Sequence, residues 1–129
     1  MDGFLEVFKQ SSVSFLAAAR DEKTLQTKIF YEAMQNLEGR DLIIPDTMLA
    51  TGNSIVAAAD VIGKYGMPRN IFLQAVIAAP EGVRAVQKRL PNAKLYIGSL
   101  DKCLNEHGYI VPGLGDAGDL CYGSKENPL

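Results

Sequence analysis

Leu42-Ile43-Ile44-Pro45-Asp46-Thr47-Met48-Leu49-Ala50-Thr51-Gly52-Asn53-Ser54 is the stretch from which the fold can be read. It opens on a short apolar run suited to a buried strand and turns through small polar residues. It then leads into Ser54 to Tyr65, where Ile55, Ala58, Ala59 and Ile62 recur at helical spacing. Gly66 offers a left-handed cap for that helix, and Pro68 offers a stop. The alternation continues downstream. Ile71 to Ala79 and Leu95 to Ile97 are further apolar runs, and between them Glu81 to Leu90 carries Val83, Val86 and Leu90 on one face. Pro80 precedes this second helix, and Lys88 and Arg89 lie in its last turn. Strand, helix, strand, helix, strand is the pattern of a parallel sheet with helices joined by right-handed crossovers, so the class is α/β.

Upstream the pattern is weaker. Val13 to Ala19 reads as another buried strand, Gly3 to Lys9 as a short helix, and Thr24 to Met34 as an extended flap with a helix as the alternative. Five of the twelve glycines (108, 113, 115, 118 and 123) fall within residues 108–123, a segment of the last quarter that reads as a shaped loop.

The 129 residues are expected to form a single domain, 1–129, able to bury a core without disulfides or metals. A formal charge of −2 provides no field to attract nucleic acid or an anionic membrane, so any anion site must be local. The longest apolar stretch is far shorter than the roughly 20 residues of a membrane helix. Cys103, Cys121 and the single His107 form no metal-binding spacing. With no secretory signal in view, the expected location is cytoplasmic.

The turn after the first strand carries the chemistry. Ligands of open parallel sheets bind beyond the carboxyl ends of strands, where the next helix presents unpaired N–H groups and the positive end of its dipole. Gly52 lets the backbone approach an anion, and Thr51 and Ser54 add hydroxyl donors. Asp46 is poorly placed for phosphate but suits sugar hydroxyls, or Mg²⁺ through water. The pair suggests a ribose phosphate. The same residues also suit a plain helix cap, and spacing does not separate the two readings. The nucleoside triphosphate and dinucleotide fingerprints are both missing.

Asp46 to Ser54 (DTMLATGNS) resembles the phosphoribosyl pyrophosphate (PRPP) loop of uracil phosphoribosyltransferases, usually DPMLATGG followed by Ser or Thr. Gly108 to Asp119 (GYIVPGLGDAGD) is similar to that family's uracil-binding segment, Arg20 to Thr24 (RDEKT) to its arginine motif, and Ala78 to Gly82 (AAPEG) and Asp2 to Leu5 also follow its pattern. The resemblance implies a phosphoribosyltransferase-like parallel sheet with flanking helices. It also implies an enzyme of pyrimidine salvage that joins uracil to PRPP, giving UMP and diphosphate, with Mg²⁺ bound on PRPP.

By this resemblance Asp46, Thr47, Met48, Leu49, Ala50, Thr51, Gly52, Asn53 and Ser54 form the PRPP-binding loop, with Asp46 on the ribose hydroxyls. Arg20 contacts the diphosphate and has a catalytic role there. Ile110, Gly115, Asp116 and Ala117 form the uracil site, read largely through main-chain groups, and Asp116 also contacts PRPP. Uracil's alternating carbonyl and N–H edge suits such backbone pairing. Asp116 is the candidate for assisting loss of the base proton, because Ala50 stands where related transferases carry an acidic residue. The family also implies a homodimer or higher homo-oligomer.

The sequence departs from the family in lacking its upstream region, which includes a leading strand and a Leu-Arg-Ala-Gly loop. That strand belongs between Val13 to Ala19 and Leu42 to Ile44, so the expectation is a sheet with its leading strand missing. Thr47 replaces a proline, Asn53 a glycine and Leu120 a basic residue. These departures keep open the alternative of a non-catalytic nucleotide-binding or uracil-binding regulatory homologue, or an inactive fragment.

Overall fold

The computed structural model describes residues 2–20 and 27–123. Three parallel strands form the central sheet in the order β3 (Asp41–Leu49), β4 (Asn70–Ala78), β5 (Lys94–Leu100). Helix α2 (Asn53–Ile62), followed by a 3₁₀ turn at Gly63–Tyr65, joins the first two strands, and α3 (Pro80–Arg89) joins the last two. Sequential strand order with crossovers of one hand puts both helices on one face of the sheet. There Ile55 and Val86 pack with Leu49, Leu73, Ala75 and Ala78, flanked by Ile44, Val83, Leu90, Leu95 and Ile97. The opposite face is bare among the described residues, with Val76 62% and Tyr96 55% exposed. Parallel sheets ordinarily bury both faces.

β3 runs on past Ile44, where the apolar run seemed to end, because an edge strand tolerates Pro45. Its amino end is fixed by Asp41, which accepts hydrogen bonds from Arg69 and from Asn70 Nδ2. The Arg69 guanidinium holds the Asp41 carboxyl down at about 2.

The stretch read as Val13 to Ala19 is not a buried strand of this sheet. It forms β1 (Phe15–Arg20), paired antiparallel with β2 (Thr27–Ala33) in a separate two-stranded ribbon, with a bulge between Ala17 and Ala18. The nearby partner strand captures it without the crossover that a parallel pairing needs. The extended reading of the flap therefore holds from Thr27 onward, and the helical alternative does not. Among the described residues nothing pairs with the outer edge of β3, as expected where the leading strand is lacking. A cleft of about 780 Å³ lies beside that edge, lined by Phe4, Phe8, Phe15, Leu37, Leu42 and Pro45 among others.

Two further boundaries differ. Gly66 does not cap α2, which ends at Gly63 in right-handed geometry. Its positive φ serves instead to pass Glu38, whose carboxylate accepts the Met67 N–H at 2.7 Å. The glycine-rich tail is a short hairpin, β6 (Cys103–Leu104) with β7 (Ile110–Val111), then a loop, then helix α4 (Ala117–Tyr122), which the spacing of apolar residues did not foretell. The expected amino-terminal helix is α1 (Asp2–Val7). No helix among the described residues is long and apolar enough to cross a membrane.

Candidate functional site

Leu49, Ala78 and Leu100 stand side by side in register at the carboxyl ends of β3, β4 and β5. Two strand spacings, about 10 Å, therefore separate the exit of the first candidate loop from the exit of the last strand. Both segments singled out in the sequence hang from this one end of the sheet.

The first loop leaves after Leu49. Ala50 N–H donates to the Met48 carbonyl at 3.1 Å, and Gly52, at φ 78° and ψ −1°, forms the N-cap of α2. Gly52 has no side chain with which to cap the helix. Thr51 Oγ1 accepts the Asn53 N–H at 3.4 Å. Backbone amides and the dipole at such a helix start suit either an anion or a cap. The loop is seated on α3: a Cβ on Gly82 would lie 2.9 Å from the Leu49 carbonyl oxygen and closer still to that of Ala50. A Cβ on Gly52 would meet the Gly82 carbonyl at 3.0 Å.

Asp46 and Thr47 to Leu49 lie in β3 itself, so only residues from Ala50 onward form the turn. Asp46 Oδ1 accepts the Met48 N–H at 3.2 Å. Burial raises its pKa above the ordinary 3.8, against the opposing pull of the Met48 and Thr47 amides. Asp46 is also among the residues that line a hollow of about 440 Å³, with Phe4, Gln74, Val76 and Tyr96. No group of three or more His, Cys, Asp or Glu able to hold a metal occurs among the described residues. The donor set at the loop is one carboxylate with hydroxyls, which fits a cation already carried on phosphates.

The second segment is tied to the same end. Asp101, just beyond β5, donates its N–H to the Ala78 carbonyl at 2.8 Å, and Lys102 N–H donates to that of Val111 at 2.9 Å. Glu81, in the first turn of α3, accepts the Leu104 N–H at 3.3 Å. Ile110 is buried, while Gly113 and Gly115 both take positive φ. Asp116 is the N-cap of α4 and accepts the Asp119 N–H at 3.0 Å, so the residue singled out for proton transfer also has a structural task. Ala117 is the first residue of that helix. His107 sits in a turn, where its N–H donates to Asn105 Oδ1 at 3.0 Å.

Arg20 is the last residue of β1, and its side chain, like residues 21–24 of the arginine motif, lies outside the described residues. The sequence had not singled out Gly82 or Asp101 as supports of the site. The available signal was position, since Asp101 directly follows the carboxyl end of β5 and Gly82 lies in the first turn of the helix that follows β4.

A profile of the family described as uracil phosphoribosyltransferase matches residues 1–124. A uracil phosphoribosyltransferase of Finegoldia magna is 45% identical over 126 residues, and one of Geobacillus kaustophilus is 47% identical over the same length. Each alignment covers 97% of this chain and 60% of the relative, so the chain spans about 60% of the length of the curated relatives it matches. The solved structure of AQ2163 protein from Aquifex aeolicus superposes with a TM-score of 0.90 at 36% identity, covering 98% of this chain and 60% of that one. The chain therefore belongs to the uracil phosphoribosyltransferase family.

Proposed function

We propose that this chain carries the phosphate-binding and base-binding parts of a pyrimidine-salvage enzyme that converts uracil and PRPP to UMP and diphosphate. The observation that carries the reading is the glycine-led start of α2, at the same end of the sheet as the Ile110 to Gly115 turn. In this reading Thr51 to Ser54 bind the 5′-phosphate through backbone amides and hydroxyls, and Asp46 accepts from the ribose hydroxyls. Main-chain groups at Ile110, Gly115 and Ala117 pair with uracil. In the reaction, uracil N1 bonds to the anomeric carbon as the bond to the diphosphate oxygen breaks, and the N1 proton leaves. Asp116 is the proposed acceptor for that proton. Arg20 faces the charge growing on the diphosphate, for which a planar guanidinium is well suited. Bound together with PRPP, Mg²⁺ would supply charge neutralisation for the diphosphate, and Asp46 would be the carboxylate able to reach it through water. The working form is a cytoplasmic homo-oligomer.

The departures from the family pattern at Thr47, Asn53 and Leu120 favour a second reading, a homologue that binds nucleotide without turning it over. Incubating the chain with uracil, PRPP and Mg²⁺ and following UMP separates the two. UMP formation supports the enzyme, UMP binding without turnover supports the second reading, and binding of neither ligand refutes both.

A further inference from the structure

Regular structure does little to hold the base-side segment, since β6 and β7 have only two residues each and the loop after them has none. Its placement depends on a few fixings, and Asp101 supplies the most central of them. Through its N–H it is bonded to Ala78 at the end of β4, and by sequence it continues β5. Its carboxylate Oδ2 accepts the Gly113 N–H at 2.9 Å across twelve residues of chain, and Oδ1 accepts the Ser99 hydroxyl at 3.2 Å. One residue thus connects two strands of the sheet to the turn.

Gly113 folds back tightly on Ile110. Its φ is 58°, and a Cβ there would collide with the Ile110 carbonyl, so glycine is the residue this turn requires. Ile110 itself is only 3% exposed, which leaves the turn little room to shift on its own side. Holding the Gly113 N–H therefore holds the Ile110 backbone. Glu81 makes a second, longer tie at the opposite root of the hairpin, through Leu104.

From this geometry we infer that Asp101 is a positioning residue for base recognition: it fixes the Ile110 to Gly115 turn against the sheet end that carries the phosphate loop. The inference rests on the reading of this turn as the uracil site. Asp101 touches no substrate. It acts by keeping the backbone groups that read the base at a set distance from those that hold the phosphate, so its loss weakens ligands that have a base and spares those that lack one. An asparagine keeps the acceptor for Gly113 and can exchange a hydrogen bond with Ser99, so it preserves the tie.

The test measures the affinities of UMP and of ribose 5-phosphate for the full chain, for Asp101→Ala and for Asp101→Asn by calorimetry. Wild type is expected to bind UMP more tightly. Asp101→Ala is expected to lose about tenfold of UMP affinity, some 1.4 kcal/mol, with ribose 5-phosphate unchanged, while Asp101→Asn stays close to wild type. An equal loss for both ligands in Asp101→Ala, or a loss for neither, overturns the inference. A wild-type chain that does not prefer UMP, or binds neither ligand, refutes the underlying reading instead. Should Asp101→Ala not fold, Ser99→Ala decides. Faster Gly113 amide exchange with selective weakening of UMP supports the inference, and unchanged exchange and affinity overturn it.

Discussion

Gly82→Ala places a methyl group between α3 and the loop that α3 supports. The added carbon would lie 2.9 Å from the Leu49 carbonyl oxygen, 3.1 Å from the Ala50 carbonyl carbon and closer still to the Ala50 oxygen, where ordinary contact begins at 3.4 Å. The backbone must therefore recede by more than about half an ångström, since no flexible side-chain end is available to move in its place. Gly82 is buried and Leu49 belongs to the core, so overpacking should destabilise the fold by about 1–3 kcal/mol. The functional effect should be of comparable size. A displacement of about 1 Å in a positioning element can cost about 100-fold, so a shift of half that or more should weaken phosphate binding by at least about tenfold. Thermal unfolding and calorimetry with ribose 5-phosphate give both quantities from one preparation. A folded Gly82→Ala protein that binds ribose 5-phosphate as wild type does would refute the claim that α3 sets the position of the loop.

Other substitutions test the remaining parts. Asp46→Asn should weaken ribose 5-phosphate more than inorganic phosphate, because it removes a charged acceptor for the ribose hydroxyls; calorimetry with both ligands shows whether it does. The raised pKa of Asp46 means that the folded protein holds this proton more tightly than the unfolded chain. Its contribution to stability should therefore fall as pH rises through the window above 3.8, a slope that urea unfolding should find in wild type and not in Asp46→Asn. Asp41 has the opposite sign: held at about 2, it stabilises above its unfolded value of 3.8, and that contribution should vanish between 3.8 and about 2 on acidification, and be absent throughout in Asp41→Asn. Asp116→Asn keeps the α4 cap while removing the carboxylate, so a loss of UMP formation with unchanged helix content supports the proton-transfer role, and unchanged turnover removes it.

The central βαβαβ unit was legible because its two helices have apolar faces of period 3.6 and its strands are apolar runs between breakers. The candidate phosphate loop stood out as glycine and hydroxyl residues between a strand and a helix, but these suit a plain cap as well, and only the resemblance of Asp46 to Ser54 to the family's loop separated the two readings. Two things were hidden. Val13 to Ala19 has the composition of a buried strand, and which partner it pairs with is decided by chain proximity rather than by its own residues. Helix α4 is six residues long with little apolar periodicity and depends on the Asp116 cap, so only the cap could have signalled it. Supports such as Gly82 and Asp101 work through backbone contacts with segments far away in sequence, which no local pattern records.

The most direct test of the account is an amide NMR titration of the chain with UMP. The account expects the amides of Gly52, Asn53, Ser54 and Ile55 to shift together with those of Ile110, Gly113 and Gly115, along one saturable curve. Shifts confined to one of the two segments, or appearing instead around the cleft beside β3, would contradict it.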